Sequence, residues 1–257
     1  RVAALHCMAS SVVAPSRGVS PVFTRARARQ CSRATTSPSC SAITIDVSSH
    51  ASDVVGAAAC RALSFSQNVP SDRSAFAKRA HVAMKIENET TSLTNKLCGA
   101  EVGYENVKVV LIVARAPASS AQYDIREFDP ASLSVRDGAE TSLIVGSLDI
   151  NIGDRLPAEE LAGTRSLGRR AYLSNVGVAP AARRTGVASR MIERASIIAR
   201  DEYAVHTLYV HVQHDNDAAI ALYERSDFIR EAQETAGAES SLGRPARVLL
   251  RRDLRIH

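Results

Sequence analysis

The stretch Ala171 to Ala199, AYLSNVGVAPAARRTGVASRMIERASIIA, constrains the fold most, because it reads as a buried strand, a tight basic turn and an amphipathic helix in immediate succession. Tyr172, Leu173, Val176 and Val178 are β-prone and apolar, and Pro180, which has no N–H for a sheet ladder, ends the run. Val187, Met191, Ala195 and Ile198 fall at helical spacing on one face. Between strand and helix lies Arg183-Arg184-Thr185-Gly186-Val187-Ala188. The first turn of a helix leaves backbone N–H groups without partners, and its dipole adds partial positive charge, so a phosphate there satisfies both. Gly186 lets the backbone come close, and Arg183 and Arg184 bring full charges. The same turn is also compatible with an ordinary solvated helix start.

The downstream segment separates these readings. Leu208 to Val212 is a second strand, followed by Asn216-Asp217-Ala218-Ala219-Ile220-Ala221-Leu222-Tyr223 and then Phe228. With these residues the chain resembles the GNAT superfamily of acetyl-CoA-dependent N-acetyltransferases. The family motif Gln/Arg-x-x-Gly-x-Gly/Ala is matched by Arg183, Gly186 and Ala188. The later motif Asn-x-x-Ala-x-x-Leu-Tyr is matched by Asn216, Ala219, Leu222 and Tyr223. One departure is Asp227, which stands where the family usually has Gly before the Phe.

The resemblance implies an α/β single domain with a mixed, mostly antiparallel central sheet, helices on both faces and a splay between the two middle strands. It also implies acetyl-CoA as co-substrate, with no metal. In that frame the backbone of Val176, Gly177 and Val178 would hold the pantetheine arm. The backbone N–H groups of Arg184, Thr185, Gly186, Val187, Ala188 and Ser189, with the charge of Arg183, would hold the pyrophosphate. Asn216 would add a cofactor contact as well as capping its helix. Tyr223 would be both a cofactor contact and the general acid, since acetyl transfer from a thioester leaves a thiolate and a phenol can protonate it.

The base is less sharply marked. Along Leu208 to Gln213, Tyr209, His211 and Gln213 share one face, and a histidine has a pKa suited to taking the amine proton. Asn175 with a water is the alternative, and a structural histidine or a metal pair with His214 are the competing roles of His211. No Cys or Ser sits in a nucleophile setting, which favours direct attack in a ternary complex.

Residues 1–41 differ in kind from 42–257. The first 45 residues hold six arginines and no Asp, Glu or Lys, and the first acid is Asp46. An acid-free, Arg- and Ser-rich leader is the signature of an organellar transit peptide. Met8-Ala9-Ser10-Ser11-Val12 resembles the start of a plastid one, with residues 1 to 7 ahead of the initiator and the mitochondrion as second choice. The chain's net charge is +5, so those six arginines leave residues 46 to 257 close to neutral. A near-neutral folded part argues against nucleic acid as partner, and no apolar stretch reaches the length of a membrane span. Cys60 and Cys98 remain outside the leader as lone thiols, expected to be buried and inert.

The remaining pattern predicts strands at Ala42–Val47, Asn106–Ala114, Ser142–Ile150, His206–Val212, Phe228–Ala232 and Ala246–Leu254. It predicts a helix over Ser52–Leu63 with Ser52 as N-cap, and a longer one over Asp72–Leu97 with Phe76, Ala80 and Ala83 on its apolar face and Gly99 as its stop. Asn68 to Ser71, Pro117 to Glu140 and Gly153 to Arg170 read as connections, the last two forming the acceptor wall. The residues from Arg169 to Val176, with Leu242-Gly243-Arg244-Pro245, resemble the plant and algal plastid branch of the family. That resemblance implies an acceptor that is a protein amine, N-terminal or lysine. A small-amine acetyltransferase and a non-catalytic acetyl-CoA-binding module are the alternatives.

Overall fold

A computed structural model describes residues 43–65, 74–136, 140–153, 156, 168–235 and 243–255. The leader and the loop at Asn68 to Ser71 lie outside them, as does most of the connection from Gly153 to Arg170. The elements run β1 (Thr44–Val47), α1 (Ala51–Ser64), α2 (Ala75–Cys98), β2 (Val107–Pro117), β3 (Leu133–Ser134), β4 (Ser142–Gly153) and β5 (Arg170–Val178). They continue with α3 (Val187–Tyr203), β6 (Thr207–Gln213), α4 (Asp217–Glu224), β7 (Ile229–Gln233) and β8 (Arg247–Asp253). The sheet order is β1-β2-β4-β5-β6-β8-β7, with β3 on β4. Every pairing is antiparallel except β5 with β6.

The continuous apolar runs of β2 and β4 explain their central place, since both strands are buried on both faces. α1 and α2 cover one face and α3 the other. Gly146 faces α3 so closely that a Cβ there would stand 2.9 Å from Met191 Cε. The next residue, Ser147, turns to the opposite face and meets Arg61 of α1. The expected mixed sheet with helices on both faces is therefore present.

Two features open the sheet at its middle. β5 pairs with β6 only from Arg170–Thr207 to Tyr172–Tyr209, and the two strands part beyond that point. On its other edge β5 slips in register against β4, with Ser174 opposite Asp149 and Gly177 opposite Ser147, so β5 carries one residue more than its partner. Asn175 lies in this bulge with φ 54°, a left-handed conformation that Asn tolerates better than most residues.

α1 is tied to the sheet by a buried carboxylate. Asp53 accepts from Arg115 Nη2 at 2.7 Å, Ser134 Oγ at 2.6 Å and Ser48 Oγ at 2.5 Å, and it also pairs with Arg136. Burial alone would raise its pKa, but these bonds outweigh burial and hold the carboxyl well below its usual range.

Several local expectations change. The N-cap of α1 is His50, which accepts from the Ser52 N–H, while the Ser52 hydroxyl bonds Ser134 and the Val135 carbonyl instead. The face of α2 that packs inward carries Val82, Ile86 and Leu93, whereas Phe76 is 81% exposed and Ala80 and Ala83 point outward. A phenylalanine at helical spacing marks a core only if a neighbour covers it, and α1 meets α2 on another side. Gly99 ends α2 in the left-handed conformation, as expected. Between Pro117 and Glu140 the chain forms short 3-10 turns and β3, and the charges of Asp124 and Arg126 pair with each other at the surface. Cys60 is buried, but Cys98 is exposed.

Candidate active site

Where β5 and β6 part, a cavity of about 730 Å³ opens between the end of β5, the start of α3 and the outer side of α4. Val176, Gly177 and Val178 line it from the strand; Arg183, Arg184 and Gly186 line it from the turn; Val187, Ala188 and Ser189 line it from the helix. Asn216, Leu222 and Tyr223 close the α4 side. The fold thus brings together nearly every residue singled out in the two motifs. Thr185 is the exception in that stretch: its hydroxyl donates to the Ala182 carbonyl at 2.7 Å and braces the turn.

The start of α3 opens into the cavity uncapped. Its N-cap is Gly186 at φ 81°, and no side chain caps the helix. Among the described residues, none of the N–H groups from Arg184 to Ser189 donates to another group. Uncompensated donors at the mouth of a 17-residue helix thus face a cavity, an arrangement in which an anion would find both hydrogen-bond partners and the helix dipole. Gly186 is also required by its own backbone: at φ 81° it occupies the left-handed region that L side chains rarely adopt, while no protein atom lies within 4 Å of where a Cβ would stand. Arg183 also differs. Its Nε donates to the Val178 carbonyl at 3.3 Å and its Nη2 to the Ser64 carbonyl at 3.2 Å, tying the turn to β5 and α1, while Arg184 remains exposed at the cavity.

Tyr223 is 5% exposed and packs edge-on against Phe228, with ring centroids 5.4 Å apart. Burial raises its pKa well above that of an ordinary phenol, and the nearby Tyr172 adds to the effect. The group therefore carries its proton throughout the physiological range. Asp227 adopts φ 60°, so the tight turn before Phe228 is made without glycine. Asn216 caps α4, its side-chain oxygen accepting from the Ala219 N–H at 3.1 Å.

His211 does not line the cavity. It sits on the opposite face of β6, its Nδ1 3.1 Å from the Tyr172 hydroxyl, and its Nε2 is buried with no partner among the described residues. Burial, and then Arg247, push its pKa down from 6.5 to about 4, so the pKa suited to a base that was expected of it is not what this environment provides. Asn175, the alternative, turns its amide nitrogen onto Asp149 at 2.9 Å. Sequence reasoning missed several contributors, Ala182 and Arg225 of the cavity wall among them. Ser64 and Phe65, at the end of α1, line the cavity from more than a hundred residues away, and Tyr172 is the partner of His211. Only the alternation of β5, which puts Tyr172 on the face away from Leu173, offered a signal for any of them.

Comparison with known proteins places this geometry. The pattern of the Acetyltransferase (GNAT) family matches residues 113–228. The chain is 36% identical over 204 residues to GCN5-related N-acetyltransferase 7, chloroplastic, of Arabidopsis thaliana, covering 77% of this chain and 72% of that one. The chain belongs to the GNAT family. It is also 33% identical over 97 residues to GCN5-related N-acetyltransferase 6, chloroplastic, of the same plant, covering 33% of each. Among solved structures, PaiA N-acetyltransferase of Thermoplasma acidophilum, in complex with coenzyme A, is similar with a TM-score of 0.46 at 11% identity, over 82% of this chain and 99% of that one. As a GNAT member the protein is an acetyl-CoA-dependent acyltransferase.

Proposed function

We propose that this GNAT enzyme moves acetyl from acetyl-CoA to protein amines, the N-terminal α-amine and the lysine ε-amine, by direct attack in a ternary complex. The observation that carries the cofactor half is the uncapped start of α3 opening into the β5–β6 cleft, where the amides of Arg184 to Ser189 would take the diphosphate. Val176 to Val178 would bond the pantetheine amides as a strand edge bonds another strand. The neutral amine nitrogen attacks the thioester carbonyl, the C–S bond breaks, and Tyr223 donates its proton to the departing thiolate. The amine proton leaves to water, and water returns a proton to Tyr223, so no net proton stays on the enzyme. Cys60 is fully buried and pushed up to about 11 by desolvation, which fits direct transfer better than an acyl-enzyme.

The acceptor class rests on the resemblance of Arg169 to Val176 to the plastid branch. A plastid location is supported by the chloroplastic relatives and by the acid-free composition of residues 1–41, which we propose to be a transit peptide ahead of the acetyltransferase domain at 42–257. Incubation of the protein with labelled acetyl-CoA and either a peptide library or a panel of polyamines and arylalkylamines tests the acceptor. Label on peptide amines is expected; label confined to small amines, or tight cofactor binding without turnover, overturns the reading.

A further inference from the structure

The bulge that aims β5 at the cofactor cleft is held by a set of side chains, buried at its centre, that neither family motif contains. Arg61 of α1 is 2% exposed and reaches both β4 residues that flank the register slip: its Nε donates to Ser147 Oγ at 3.1 Å and its Nη2 to Asp149 Oδ1 at 2.5 Å. Its remaining Nη1 donates to Glu89 Oε1 of α2 at 2.9 Å. Asp149, 1% exposed, uses its other oxygen to accept from Asn175 Nδ2 at 2.9 Å, and Asn175 is the left-handed residue of the bulge itself. A chain of charge-assisted bonds thus runs from the covering helices through β4 to the one position of β5 whose backbone departs from strand geometry.

Stability alone does not account for such a set. A buried ion pair is costly to desolvate and is often matched or bettered by apolar residues of the same size, whereas pairs of this kind can select one backbone arrangement over its neighbours. Here the competing arrangement is evident. Without the extra residue, β5 would continue in register with β4, and the face presented by each residue beyond Asn175 would reverse. We infer that Arg61, Asp149 and Asn175 are positioning residues for acetyl-CoA, locking the β5 bulge so that the main-chain N–H groups of Val176 and Val178 point into the cleft. This rests on the reading that those groups hold the pantetheine arm.

The experiment compares the full-length protein with Asn175→Gly, which keeps the left-handed backbone without steric cost but removes the amide that reaches Asp149. Thermal midpoint, KM for acetyl-CoA, KM for a peptide amine and kcat are measured for both. Hydrogen exchange at the Val176 and Val178 amides is followed with and without coenzyme A. The expected result is a folded variant whose KM for acetyl-CoA rises on the order of tenfold or more, the size of loss that misplacement by about an ångström produces, with the amine KM unchanged. An unaltered KM for acetyl-CoA, with both amides protected by coenzyme A in the unsubstituted protein, overturns the inference. Absence of that protection in the unsubstituted protein instead overturns the pantetheine reading beneath it. Should the glycine variant not fold, the exchanged pair Asp149→Asn with Asn175→Asp decides. It restores the bond with donor and acceptor reversed, and recovery of KM to within about threefold supports the inference, while a KM that stays raised sinks it.

Discussion

Tyr223 and His211 differ in what their surroundings permit. Tyr223 lines the cleft with its proton retained, because burial disfavours the phenolate. Tyr223→Phe removes one oxygen and leaves the packing, so turnover is expected to fall by about 100-fold, the lower range for loss of a general acid, with acetyl-CoA affinity nearly unchanged. Release of free thiol measured alongside cofactor titration checks both halves, and unchanged turnover removes Tyr223 from the chemistry. His211 makes a different prediction. Its folded pKa, about 4, lies below the unfolded value near 6.5, so the unfolded chain takes up a proton first as the pH falls. Stability from this group is complete above about pH 6.5 and is lost progressively toward pH 4, by at most about 3.4 kcal/mol at 1.36 kcal/mol per pKa unit and by on the order of 2–3 kcal/mol once solvent screening of the half-buried ring is allowed for. Denaturant melts at pH 7 and pH 4.5 should show that His211→Asn loses less stability on acidification than the unsubstituted protein. Equal losses would show that His211 is not neutral and buried as described.

At the scale of elements, the start of α3 and the anchoring of α1 carry the argument. Gly186 is needed for a backbone conformation that costs an L-residue roughly 1–2 kcal/mol. Gly186→Ala is therefore expected to lower stability by about that amount and to weaken coenzyme A binding together with it, since the same turn aims the amides. Calorimetric titration with coenzyme A checks this, and a variant that binds equally well would show the amides to be aimed by other contacts. Asp53 holds α1 against β2 and β3 through Arg115, Arg136 and two serines, so Asp53→Ala leaves the buried Arg115 guanidinium with only the exposed carboxylate of Asp46, 3.5 Å from its Nη1. A loss of about 3–5 kcal/mol is expected in chemical denaturation. A loss below about 1 kcal/mol would show that the serines and water replace the carboxylate.

For the whole molecule, binding and folding are linked because the cleft is assembled from α1, β5, α3 and α4 and exists only in the folded chain. Coenzyme A at a hundredfold excess over its Kd is expected to add about 2.7 kcal/mol, a rise of several degrees in the thermal midpoint. Adenosine, which lacks the diphosphate and the arm, serves as the control and should produce little rise. A midpoint indifferent to coenzyme A would deny the cleft its proposed occupant. Among the described residues no helix is long and apolar enough to cross a membrane.

What the sequence determined by itself was local and periodic. The order of strands and helices, the placement of the Arg183–Gly186 turn, the cap at Asn216 and the Gly99 stop all follow from residues close to one another in the chain, whose preferences act over a turn or a few strand residues. What only the tertiary structure decided was which distant groups meet. Ser64 and Phe65 reach the cleft because α1 crosses β5, Arg183 turns to the Ser64 carbonyl, which the sequence places far away, and His211 loses its ordinary pKa to a burial set by β5 and β8. The left-handed Asn175 belongs to this second class as well, since a bulge is a mismatch between two strands and cannot be read from either strand alone.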